Sequence, residues 1–187
     1  MKKIVIYPNE ILRIKTEEIK EVDSKLETDI KSLIEVLEST EIGVGLAAPQ
    51  IGLKRRFFGI KDSKKKIVNV YVNPEIKKIF GRKEFLKIVN DKGKEEDFLE
   101  GCLSFPDYYG TLQRYFKIAV KWQEMENGKF VNKKGILTGL NAVVYQHELD
   151  HLNGVLFIDR VKEDGGKFFK AMGEKMAKWN VDKIKFT

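Results

Sequence analysis

The stretch TGLNAVVYQHELDHLNG, residues 138–154, holds the chain's only two histidines, His147 and His151, with Glu148 directly after the first. Two histidines dropped at random into a chain of this length fall four apart about 1% of the time, and requiring the adjacent Glu lowers this to about 0.1%. The arrangement therefore calls for a cause. On a helix, residues four apart lie about 40° from each other and one turn up, so two imidazoles there can grip one metal ion. Glu148 stands about 60° from His151, on the same side, where its carboxylate can reach a water on that ion. Thr138 is a candidate cap and Gly154 a candidate stop. Leu140, Val143, Val144, His147 and His151 form one stripe, so the histidines extend the apolar, core-facing side of this helix.

A hydrolytic site of this type has three protein ligands and keeps one position open. No third histidine exists, which leaves a carboxylate or Cys102, the only thiol, in EGCLSFP (residues 100–106). A lone cysteine usually reads as a small buried hydrophobe. Its place on a glycine-hinged, proline-bounded segment, together with the site's need for a third ligand, favours ligation here. A second stretch, GVGLAAPQIG (residues 43–52), contains the Gly-x-Gly-x-x-Ala pattern of a dinucleotide loop. Such a loop must follow a strand and open a helix. Gly43 instead follows a helical pattern, and Pro49 comes six residues later, so no nucleotide cofactor is expected.

Working outward, Asp23 or Ser24 caps a helix running to about Thr40, with Leu26, Ile30, Leu33, Ile34 and Leu37 on one face. Lys3 to Tyr7 reads as a short strand closed by Pro8. Arg55 to Ile60 and Ile67 to Val72 read as strands joined by a turn over 62–66, with Pro74 limiting the second and Ile76 to Phe80 adding another. The polar run from Asn90 to Glu96 reads as an exposed hairpin within a longer excursion, residues 81–97. Asn127-Gly128 suits a tight turn between Tyr115 to Glu124 and Lys129 to Val131. From Lys167 to Trp179, lysines alternate with Phe168, Phe169, Met172, Met176 and Trp179, which predicts a basic amphipathic C-terminal helix. The expected fold is α+β: small antiparallel or mixed sheets packed around a central metal-binding helix, with an N-terminal and a basic C-terminal helix.

At 187 residues the chain suits one catalytic domain, residues 1–187, and no composition shift marks a linker. One cysteine excludes an internal disulfide, and no apolar run suits a signal peptide or a membrane span, so the expected address is the cytoplasm. A net charge of +7 is compatible with nucleic-acid or ribosome contact, although lysines spread along the whole chain usually mark a solvated surface.

The blocks GVGLAAPQ (43–50), EGCLS (100–104) and QHELDHLNG (146–154) together resemble, in order, the three signature blocks of peptide deformylase. The resemblance runs from about Pro8 to Asp159. It implies Cys102, His147 and His151 as metal ligands and Glu148 as general acid/base. It implies Gln50 and the Leu103 backbone N–H as the groups holding the developing oxyanion. The implied reaction is hydrolysis of the formyl group from nascent formylmethionyl peptides, releasing formate, with one divalent ion: Fe(II) first, Zn(II) close behind. Gly43 and Gly45 then let the backbone approach an extended peptide, and Val44, Phe98, Leu140, Val143 and Val144 are candidates for the methionine slot. Glu100, Asp150 and Arg114 are expected to form an ion-paired network behind the ligands. Tyr109 departs from the family, where an arginine near this position often grips the peptide. The basic tail, Lys162 to Lys185, is a candidate ribosome contact, as in relatives. Two rival readings remain: a zinc endopeptidase of the HExxH type, and a ribosome-binding module with a purely structural metal.

Overall fold

Asp23 accepts a hydrogen bond from the Leu26 N–H and so caps α1 (Ser24–Glu38), whose face of Leu26, Ile30, Leu33 and Leu37 is buried. In chain order there follow β1 (Gly45–Ala47), β2 (Phe57–Asp62), β3 (Ile67–Phe85), β4 (Lys87–Val89), β5 (Glu95–Asp97), β6 (Glu100–Cys102) and β7 (Phe105–Gly110). Then come β8 (Gln113–Glu126), β9 (Lys129–Thr138), α2 (Gly139–Leu152), α3 (Phe157–Glu163), β10 (Phe168–Met172) and β11 (Lys175–Lys178). This computed structural model describes residues 2–62, 64–173 and 175–184; Ser63 of the expected 62–66 turn and Lys185 of the basic tail lie outside them.

The fold is mixed α+β, with three α-helices among the described residues and antiparallel sheets throughout. A five-stranded sheet has the order β1-β2-β3-β8-β9, a four-stranded sheet the order β11-β10-β7-β6, and β4 pairs with β5 as a separate hairpin. The β8–β9 turn uses Asn127 and Gly128, both at positive φ (50° and 73°), the backbone that a two-residue hairpin turn demands. α1 packs its apolar face on the large sheet around Leu46, Phe57 and Val72. α2 contributes Ala142, Tyr145 and Leu152 to a cluster with Phe58, Ile118 and Val120 of the same sheet. α3 closes a further cluster with Phe105, Tyr108 and Phe168 of the four-stranded sheet. Fully burying each Leu, Ile or Phe of these clusters contributes about 1.5–3 kcal/mol.

Four expectations are corrected. The C-terminal helix is instead a hairpin, β10–β11, turning at Gly173 (φ 64°) and paired to β7 through Phe168, Phe169 and Lys170. The lysine–apolar pattern suits a half-buried strand as well as a helix. β7 supplies the open backbone edge, and Phe168 stacks on Tyr108 with ring centroids 5.6 Å apart. Lys3 to Tyr7 forms no strand: Val5 N–H donates to the Gln50 carbonyl and Tyr7 N–H to that of Ser104. Pro74 does not end its strand. The register between β3 and β8 shifts between Val72 and Glu75, which absorbs the missing N–H, while the Asn73 side chain bridges to Ile19 and Gln123. Lastly, α2 is not a one-sided stripe. Nine of its fourteen residues are buried, whereas Leu140, in its first turn, is 55% exposed because no element covers it there. Thr138 caps this helix by position only, since its side chain makes no capping hydrogen bond.

Candidate metal centre

The HELDH helix and the end of β6 meet at one point. Cys102 Sγ lies 3.2 Å from His151 Nε2, and one donor atom each from Cys102, His147 and His151 fall within 4.8 Å of one another. One thiol and two imidazoles, two of the three residues buried, form a donor set that suits a single divalent cation. His147 Nδ1 lies 2.7 Å from Glu100 Oε1. A carboxylate only accepts, so the imidazole donates there and leaves its Nε2 for the cluster. His151 Nδ1, also buried, has no hydrogen-bond partner among the described residues.

Behind the cluster, Arg114 donates to both oxygens of Glu100 (2.7 and 3.1 Å) and to Asp150. The expected network of Glu100, Arg114 and Asp150 is thus formed, and all three residues, from β6, β8 and α2, are buried. Breaking such a buried pair from one side typically costs about 3–5 kcal/mol, because the remaining charge is stranded. Burial by itself would raise the Glu100 pKa, but Arg114 and His147 hold it at about 2. Burial likewise would lower the His147 pKa, yet Glu100 and Cys102 raise it; for His151 burial prevails and lowers it. Glu148 differs from Glu100: burial with no cation on its carboxylate lifts its pKa to about 7, and its Oε2 has no hydrogen-bond partner among the described residues.

A cavity of about 550 Å³ opens on this cluster. Its lining includes Gly43, Val44, Gly45, Gln50, Phe98, Cys102, Leu103, Val143, Val144, His147 and Glu148, nearly all of the residues singled out from sequence. Leu140 is absent from the wall, and His151 lies behind it. Sequence reasoning missed Ile42, Phe105, Tyr108 and Asp107; Ile42 and Val44 are exposed at 78% and 50%. Tyr109 also lines the cavity, packed over Gly101. No periodicity signal marks these residues: the β6–β7 hairpin brings Phe105, Asp107, Tyr108 and Tyr109 to the cavity, and the segment between α1 and β1 brings Ile42. The Gln50 amide is 1% exposed and lies beside the cluster: Nε2 donates toward Cys102 Sγ (3.4 Å) and Ser104 Oγ (3.2 Å), while Oε1 accepts from the Ala47 N–H. The Leu103 backbone N–H has no hydrogen-bond acceptor among the described residues.

The glycine loop has a cause that its sequence alone did not reveal. A Cβ on Gly45 would overlap Glu148 Oε1, and one on Gly43 would overlap Thr40 Oγ1 and stand 2.9 Å from Leu103 Cδ1. The space left by the missing side chains is occupied by the protein's own groups, Glu148 above all. Gly45→Ala should therefore push the Glu148 carboxylate aside and cost about 100-fold in turnover, the usual scale for an ångström of misplacement. Steady-state rates, with circular dichroism to verify folding, check this. Unchanged rates would mean that Glu148 has room to spare.

The family model for polypeptide deformylase matches residues 1–166, so the match ends just before the β10–β11 hairpin. Peptide deformylase of Borreliella burgdorferi is 36% identical over 160 residues, covering 86% of this chain and 87% of that one. That of Thermotoga maritima is 38% identical over 161 residues, covering 86% and 87%. The crystal structure of peptide deformylase from Thermotoga maritima superposes with a TM-score of 0.69 at 36% identity, covering 86% of this chain and 97% of that one. A Plasmodium falciparum peptide deformylase complex with inhibitor gives a TM-score of 0.69 at 31% identity, covering 84% and 88%. Agreement of this extent, in both sequence and fold, means that the chain belongs to the polypeptide deformylase family.

Proposed function

We infer that this chain hydrolyses the formyl group from the N-terminal formylmethionine of newly made peptides, releasing formate and a free amine. The observation that carries the reading is the convergence of Cys102, His147 and His151 at a cavity lined by the first two, whose wall also holds a buried Glu148 oxygen with no hydrogen-bond partner among the described residues. A divalent cation held by those three residues, Fe(II) before Zn(II), would supply Lewis acidity toward the formyl oxygen and make a nearby water more acidic. Glu148 takes a proton from the attacking water and later delivers it to the departing amine, as one C–O bond forms and the C–N bond breaks. A carboxyl whose pKa burial moves toward neutrality suits both halves of that transfer. The Gln50 amide and the Leu103 N–H are the donors for the developing oxyanion. Val44, Phe98, Val143 and Val144 hold the methionine side chain.

Loss of one oxyanion donor typically costs about 3 kcal/mol. Gln50→Ala should accordingly lower kcat about 100-fold while KM changes little, measured by formate release from formyl-Met-Ala-Ser. The decisive experiment for the activity itself offers that peptide, its unformylated twin and casein. Formate from the first alone supports deformylation; cleavage of casein without formate favours the endopeptidase reading.

We place the protein in the cytoplasm, acting as a single catalytic unit on chains leaving the ribosome. Its tail is a weaker ribosome contact than its lysine count suggests. Lys162 pairs with Asp182, Lys167 with Asp97, and Lys170 lies 5.3 Å from the ring centroids of both Tyr108 and Trp179. Among the described residues of the tail, Lys175, Lys178 and Lys183 are left for a phosphate backbone. Co-sedimentation with ribosomes across salt concentrations tests this.

A further inference from the structure

The buried network does not stop at Asp150. Arg160, on α3, donates to both oxygens of Asp150, at 2.7 Å from Nη2 and 3.2 Å from Nε, and its Nη1 pairs with Glu163 at 2.7 Å. A continuous line of alternating charge therefore runs from α3 through Asp150, Arg114 and Glu100 to the His147 ring. Without Arg160, one buried guanidinium, Arg114, would face two carboxylates, and the set Glu100, Arg114 and Asp150 would carry a net charge of −1. With Arg160 these four sum to zero; Glu163, which also pairs with Arg160, is exposed and screened by solvent. Arg160 is more exposed than the others, 27% against 4% for Arg114, but its backbone is fixed because α3 buries Phe157, Ile158 and Val161.

We propose that Arg160 is a positioning residue for the reaction: by taking up Asp150, it leaves the Arg114 fork on Glu100 and so fixes the orientation and tautomer of His147 through three successive ion pairs. The inference rests on His147 acting as a metal ligand in the proposed deformylation. Arg160→Gln should release Asp150 toward Arg114, draw that fork off Glu100 and loosen the Glu100–His147 hydrogen bond. Outer partners of ligating histidines typically contribute about 10–100-fold to metal affinity or activity. This one, three residues along that line beyond Glu100, should act at the low end.

The test uses the full chain loaded with Zn(II) and labelled with ¹⁵N-histidine. In the native protein the His147 Nδ1–H should give a downfield proton resonance that is slow to exchange. Arg160→Gln should shift that resonance or broaden it by exchange, speed zinc release to a chelator about tenfold, and lower kcat about tenfold with KM within about twofold. Arg160→Lys should restore part of each effect. Asp150→Asn added to Arg160→Gln should restore most of it, because the remaining Glu100–Arg114 pair is again balanced. Arg13→Gln is the control, since Arg13 tethers α3 through Asp159 without joining the line of charge. It should lower Tm and leave resonance, zinc release and kcat alone. If Arg160→Gln changes only Tm, as the control does, or if the double variant recovers nothing, the proposal is overturned. A native protein that keeps the resonance but releases no formate would sink the deformylase reading instead, so the two failures are distinguishable.

Discussion

Glu148→Ala should retain one metal ion per chain while formate release falls by about 10³–10⁴, toward the upper end of what a general acid/base contributes. The proposed ligands are untouched by the change: Cys102, His147 and His151 keep their positions, and Glu100 still holds His147 from the far side. The folded state should also survive, with Tm altered by no more than about 3 °C, because Glu148 Oε2 has no hydrogen-bond partner to lose. Metal analysis, calorimetry and a formate assay on one preparation read all three quantities. Turnover that persists near the native rate would mean that the proton is carried by another group, and none of the remaining carboxylates that line the cavity is suited to it. Glu100 is locked by Arg114 and His147, and Asp107 is exposed at the mouth.

Cys102→Ala should abolish activity by the other route, through loss of the ion. The chain has one cysteine and two histidines, so no spare thiolate or imidazole exists to take its place. Removing one of three first ligands should weaken binding by more than the 10–100-fold expected for an outer partner, leaving little metal after dialysis. The apo protein should stay folded. Cys102 only flanks the cluster of Phe105, Phe157 and Phe168, whose packing does not involve the thiol's chemistry. Elemental analysis and thermal unfolding distinguish this from collapse. Full metal content in the variant would sink the three-ligand reading, and with it any difference between this site and a closed structural one.

What was readable in the chain was local. The HELDH spacing, the Asp23 cap and the Asn127-Gly128 turn each depend on residues within a few positions of one another, and all three stand in the folded chain. The three signature blocks were legible for a related reason: each is a short segment whose chemistry is visible before its neighbours are known. Gly45 shows where that stopped. Its sequence context suggested an approach to peptide, but its nearest constraint is the carboxylate of Glu148, more than one hundred positions away.

The amino-acid order by itself determined the helix that carries both histidines and the α+β class, because helical periodicity and turn geometry are set by neighbours along the chain. Only the tertiary structure decided that the lysine-rich tail pairs with β7 as a hairpin, that Pro74 sits within a bulged strand, that Leu140 faces water and that Arg160 reaches Asp150. Each of these depends on which distant edge, face or charge the folded chain brings alongside, and a strand without its partner edge has the same local pattern as a helix without its core.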